Sequence, residues 1–253
     1  MTLFADGVTA GVAGPPPVRE GRGMDPVFVL VHSPSVGPST WTAVADRLPG
    51  SVVPDLTRVA EAGPPFWPAV AEPVRLAIAT APADAPVVLV PHSNAGLFLP
   101  SIVAASPRPV AAVVFVDASL PQRDGPSPVA DADGLAFLRV RVGPDGRLPP
   151  WTHWFDEADV APMFPDAGTR KVIEDEQPRL PLSYYEQRLP VPDGWDARPC
   201  AYLKFSEPYD ADAADAAARG WPVEAVPGEH LHQVVDPDAV AAAIRRLAAK
   251  LVA

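Results

Sequence analysis

The chain has 253 residues, of which 48% are hydrophobic and 20% charged, with a formal net charge of −11. That composition suffices for one sizeable core, while the acidic balance repels phosphate backbones and argues against nucleic-acid binding. No apolar run approaches the roughly 20 residues of a bilayer span, so an integral membrane protein is excluded. The single cysteine, Cys200, leaves no internal disulfide framework and no multi-cysteine metal site. With no basic leader ahead of a long apolar stretch, the expected compartment is the cytoplasm.

Residues 1–26 read as a loose N-terminal arm, Gly/Pro-rich from Gly11 to Gly23, and Met24 stands directly before the first strand. Val27–Val31 is a continuous apolar run, the signature of a strand buried on both faces. Ser39 is placed to cap a helix reaching Leu48, and Ser51–Pro54 reads as a short strand. Trp67–Thr80 has helical spacing, with Pro68 in the first turn and a kink expected at Pro73. Val87–Val90 is a second apolar strand, followed by a helix over about Ala95–Ala105, and Ala111–Val116 is a third strand. This alternation predicts a parallel sheet with helices on both faces. After Leu120 the rhythm breaks, so residues 122–198 read as an insertion between sheet strands. It resumes with a strand at Ala201–Phe205, a helix over Asp210–Arg219 and a strand near Val223–Val226. A last helix starts at the Asp236-Pro237 cap and runs to about Val252. The core is thus 27–121 plus 199–253.

The chemistry is concentrated in Val87–Gly96, VVLVPHSNAG. A strand running into Pro91-His92-Ser93-Asn94-Ala95-Gly96 and then a helix lifts Ser93 above the sheet edge, and small neighbours let helix and strand pack closely. The pattern G-x-S-x-G is met with Pro91 and Ala95 in its glycine positions and Gly96 just beyond. A serine there also reads simply as a helix N-cap. His230 shifts that balance. It follows the last strand, strand carboxyl ends converge on one edge, and an imidazole there can activate a serine hydroxyl. His232 competes for the role. A carboxylate should orient the imidazole. Asp210 ranks first, although it also reads as a helix N-cap. Glu207 ranks second; both follow the strand at Ala201–Phe205. Asp117, closing VVFVD, ranks third.

With these residues in place, region 27–253 resembles the α/β-hydrolase superfamily. The stretch from His32 to Trp41, HSPSVGPSTW, is similar to the His-Gly…Trp segment of the plant methylesterase and hydroxynitrile lyase branch, as is VFVDASLP. The resemblance implies an α/β fold with a mostly parallel, doubly wound sheet and a cap inserted after strand 6, here 122–198. It also implies a Ser93–His230–Asp210 triad, an oxyanion donor at the Asn94 N–H, and no cofactor or metal. The family's second oxyanion donor falls on Pro34, which has no N–H. Losing such a donor costs about 3–4 kcal/mol where one has been removed, and the hydroxyls of Ser33 and Ser35 are the candidate replacements. Expected pocket residues are His32, Trp41, Leu97, Phe98, Trp151, Trp154 and Tyr184. Leu97 and Phe98 read equally as helix core, and most aromatic residues of the cap read as its own small core.

The expected function is hydrolysis of a small apolar ester, thioester or lactone. Two alternatives stand beside it: a non-hydrolytic Ser/His lyase or cyclase using Ser33, and a catalytically silent binding protein. The expected partner is a small-molecule substrate, with no nucleic acid and no membrane, and a homodimer is left open.

Overall fold

A computed structural model describes residues 24–252. The expected arm lies outside the described residues as far as Gly23. The strands are β1 (Val27–Val31), β2 (Val87–Ser93), β3 (Ala112–Ala118), β4 (Ser127–Pro128), β5 (Arg188–Leu189), β6 (Cys200–Lys204) and β7 (Val223–Ala225). Five of them form one sheet in the order β1-β2-β3-β6-β7, every pairing parallel, while β4 and β5 make a two-residue antiparallel ribbon.

The apolar runs become two-sided strands because alternate residues feed opposite layers. Val27, Val29 and Val31 pack into one cluster with Val70, Val74 and Ile78. Phe28 and Leu30 pack into the other with Trp41, Val44, Ile244 and Leu247. The first layer is built on α2 (Trp67–Thr80) and α3 (Leu99–Ala104). The second is built on α1 (Ser39–Ala45) and the terminal helix Pro237–Leu251.

Between β3 and β6 the chain forms α4 (Ala132–Arg139), α5 (Glu157–Val160), α6 (Ala167–Glu176) and α7 (Leu182–Glu186). Beyond β6 come α8 (Asp210–Ala218), α9 (His232–Val235) and the terminal helix, α10. The segment between β3 and β6 seats itself on α9 through Val160, Met163, Phe164 and Ile173 against Leu231 and Val234. No helix among the described residues is long and apolar enough to cross a membrane.

Three local expectations are corrected. The strand at Ser51–Pro54 is a single bridge, Val52 against Val29, since Pro49 and Pro54 bracket a stretch too short to extend a ladder. Ser39 does not cap α1, whose N-cap is Pro38. Its hydroxyl and N–H instead bind the Glu176 carboxylate at 2.5 and 3.0 Å, clasping α6 to the start of α1. That clasp needs Gly37, because a Cβ there would lie 2.1 Å from Glu176 Oε2. The helix after Ser93 opens as a 3₁₀ turn, Asn94–Phe98, before the six-residue α3. Asp236 caps α10 as expected, accepting the Ala239 N–H at 3.0 Å.

Candidate active site

Strand carboxyl ends converge on one edge of the sheet and bring distant residues together. Ser93 closes β2 with φ 59°, a left-handed conformation that costs a non-glycine residue about 1–3 kcal/mol. The sharp turn aims its side chain off the sheet. Gly96 is essential to it, since a Cβ there would stand 2.3 Å from the Ser119 carbonyl oxygen. His230, in the loop after β7, places Nε2 2.9 Å from Ser93 Oγ.

The opposite imidazole nitrogen, Nδ1, donates to Asp117 Oδ2 at 2.8 Å. Asp117 is fully buried at the end of β3, turned by its own positive φ of 40°. Its Oδ1 accepts the N–H groups of Phe205 and Ser206, and its Oδ2 also accepts the Ser206 hydroxyl at 2.6 Å. Burial works against the carboxylate, but bonds from His230 and Ser206 outweigh it and hold Asp117 below the usual carboxylate range.

Asp210, ranked first in the sequence, is not at this site. It is the exposed first residue of α8, and its Oδ1 pairs with Lys204 Nζ at 2.5 Å. Glu207 is exposed and opens a 3₁₀ turn, Glu207–Tyr209. The third-ranked acid, Asp117, is the one that meets His230.

Two groups that the sequence reading left without a role flank His230. His92, two-sided in its strand and fully buried, stacks on the His230 ring at 4.6 Å. Its Nε2–H donates to the His230 carbonyl at 3.0 Å. Burial, aided by the neighbouring His230, lowers the His92 pKa to about 3, so it stays neutral beside its partner. Tyr209 stacks on His230 at 4.8 Å and 8°, with its hydroxyl 3.3 Å from Ser93 Oγ and 3.5 Å from His230 Nε2. Its only sequence signal is its position just after β6, at the edge where the other side chains meet.

Ser33, Pro34 and Ser35, expected on the oxyanion side, follow β1, and Asn94 follows β2. The Asn94 N–H begins a 3₁₀ turn, so it lacks an intrahelical acceptor. The Asn94 side chain is held by the Tyr184 hydroxyl at 2.6 Å. Pro34 offers no donor. Ser33 Oγ accepts the Ser35 N–H at 3.3 Å, and Ser35 Oγ meets the Tyr185 hydroxyl at 2.7 Å.

Above Ser93 is a cavity of about 470 Å³, walled by Trp151, Phe155, Met163, Tyr209 and His230. Of the residues expected to line the pocket, Trp151 does so. His32, Trp41, Leu97, Phe98, Trp154 and Tyr184 do not. Leu97, Phe98 and Tyr184 belong to the main core, where Phe98 stacks on Tyr184. Trp41 is buried in the opposite layer with its edge toward His92. Trp154 packs on Tyr185, and its Nε1–H binds the Pro149 carbonyl. His32 is spent on its own loop, bonding the Ser33 carbonyl and accepting the Leu56 N–H at 3.0 Å. A larger hollow of about 660 Å³ lies at the amino-terminal edge of the sheet, around Phe28, Pro86 and Val252; among the described residues no serine or histidine lines it.

No protein-family model matches the chain, and no curated protein matches its sequence. Solved structures do match. An extracellular α/β-hydrolase from a Paenibacillus species, described as sharing structural and functional homology with tobacco salicylic acid binding protein 2, superposes with a TM-score of 0.65 at 18% identity, covering 89% of this chain and 98% of that one. The chain has the α/β-hydrolase fold. Tomato methylketone synthase I matches with a TM-score of 0.68 at 13% identity, over 90% of this chain and 99% of that one. A methylesterase from Arabidopsis matches at 0.63 and 15% identity, over 89% and 100%. Within this α/β-hydrolase fold the acid facing the histidine stands at the end of β3, and the chain order serine, acid, histidine is kept.

Proposed function

We propose that the protein is a serine hydrolase of small esters, thioesters or lactones, with Ser93 as nucleophile, His230 as general base and acid, and Asp117 as the carboxylate that orients the imidazole. The observation that carries this reading is the unbroken chain from Ser93 Oγ through His230 (2.9 Å) to buried Asp117 (2.8 Å), opening into a cavity. Asp117 fixes the tautomer with hydrogen on Nδ1, leaving Nε2 free to take the serine proton. Oγ then attacks the carbonyl carbon, and the oxyanion forms against the Asn94 N–H. The Ser33 hydroxyl, which spends a lone pair rather than its hydrogen on Ser35, supplies the second donor in place of Pro34.

The test is a fluorophosphonate probe. Ser93 is expected to be labelled in the wild type, and labelling is expected to vanish in Ser93→Ala and His230→Ala. A wild-type chain inert to the probe would leave a binding protein instead. The missing Pro34 N–H favours lyase or cyclase chemistry as the second reading, and an acyl-Ser93 adduct seen by mass spectrometry excludes it.

The cavity also predicts a charge preference. Asp159 and Glu229 are among its exposed lining residues, and among the described residues no lysine or arginine lines it. Two carboxylates at solvent-screened range supply about 1–2 kcal/mol against an anionic substrate. A choline ester and its uncharged dimethylbutyl isostere should therefore exceed a succinate monoester of equal length by about tenfold in kcat/KM, less at high salt. Equal rates across the three would refute the preference.

A further inference from the structure

We propose, building on the Ser93 reading, that the Tyr209 hydroxyl is the hydrogen-bond donor to the departing oxygen of the substrate. It touches both ends of the Ser–His bond, at 3.3 Å from Oγ and 3.5 Å from Nε2, so it lies beside the path of the transferred proton. The atom that must come to Nε2 for that proton is the leaving oxygen, which therefore arrives within reach of Tyr209. The ring lies parallel to the imidazole and lines the cavity, so the hydroxyl is held on the imidazole side of Ser93. Burial pushes the phenol's ionisation upward, keeping it an O–H donor at neutral pH.

The step balances without any other reagent. Oγ bonds to the carbonyl carbon as its proton passes to Nε2. On collapse, the bond from carbon to the leaving oxygen breaks and that oxygen keeps the electron pair. It takes the proton from Nε2 and departs as alcohol, while Tyr209 donates a hydrogen bond and retains its own proton. Water then attacks the acyl carbon, gives its proton to Nε2, and Ser93 leaves and recovers a proton, releasing the acid.

Such help matters most when the leaving oxygen is basic. The test compares wild type and Tyr209→Phe, which keeps the stacked ring, for the rate of Ser93 phosphonylation by a 4-nitrophenyl and by a phenyl alkylphosphonate. A hydrogen bond to developing charge is worth about 10–100-fold. The variant should lose that factor with the phenyl reagent and less than about threefold with the nitrophenyl one. Equal losses with both, or none with either, would overturn the role of Tyr209 while leaving Ser93 as nucleophile. A wild type that reacts with neither would overturn the nucleophile and Tyr209 together, and one that reacts only with the nitrophenyl reagent would overturn Tyr209 alone. Phosphonylated peptide mapping assigns the adduct, and an unchanged melting temperature shows that the variant is folded.

Discussion

Asp117→Asn is expected to lower kcat by about 10⁴-fold with little change in KM, whereas Asp210→Asn is expected to stay within about twofold of wild type. An amide at position 117 can still accept hydrogen bonds through its oxygen, but it no longer stabilises the imidazolium that forms as Ser93 gives up its proton. Its NH₂ group also favours the wrong tautomer of the ring. Loss of an orienting carboxylate in serine hydrolysis costs about that factor through both effects. The network around Asp117 sharpens the expectation: Phe205 N–H, Ser206 N–H and the Ser206 hydroxyl all donate to it, so an inserted amide group would face donors. Asp210, by contrast, has the Lys204 ammonium as its partner on the protein surface, where an ion pair is worth about 0–1 kcal/mol. Steady-state kinetics on an aryl ester decide it, and a larger loss at 210 than at 117 would reverse the assignment.

Acid should destabilise the fold well before the carboxylates are protonated. His32 and His92 are both fully buried, and burial lowers their pKa values from 6.5 to about 4 and about 3. An unfolded chain binds protons at both rings as the pH falls through 6.5, while the folded chain does not. Their contribution is therefore present above 6.5 and lost progressively down to the folded values. Between pH 7 and pH 5 the two together remove about 4 kcal/mol of unfolding free energy, a large part of the 5–15 kcal/mol of a typical domain. Asp117, held below its ordinary range, adds to the loss only at lower pH. Asp212, which burial pushes up, acts in the opposite sense and softens it. Urea unfolding at the two pH values measures the difference, and His32→Gln should roughly halve its slope. Identical midpoints at pH 7 and 5 would contradict two neutral buried imidazoles.

Ser93 and His230 could be read from the chain because their placement follows from a general rule: one ends a strand of the parallel sheet, the other lies in the loop after a strand of that sheet, and such ends meet. The acid could not be fixed that way, since the same rule admits Asp117, Glu207 and Asp210 alike. What separates them is a positive φ at 117 and the Lys204–Asp210 pair, a backbone conformation and a through-space contact that no local pattern records. The cavity wall was less legible still. Apolar character marks Leu97, Phe98 and Tyr184 as inward-facing, and they are, but it does not distinguish inward toward a core from inward toward a ligand. Tyr209 escaped notice because a lone tyrosine carries no spacing signature; only the stacked geometry on His230 sets it apart.

The clasp of Glu176 on Ser39 gives the segment between β3 and β6 a second attachment to the core, beside its apolar seat on α9. Both bonds come from one carboxylate, and charge-assisted bonds are worth about 1.5–3 kcal/mol each. Removing that single side chain would therefore loosen α6 from α1 while the apolar seat beside the cavity stayed in place, so the two attachments divide the work of holding the segment.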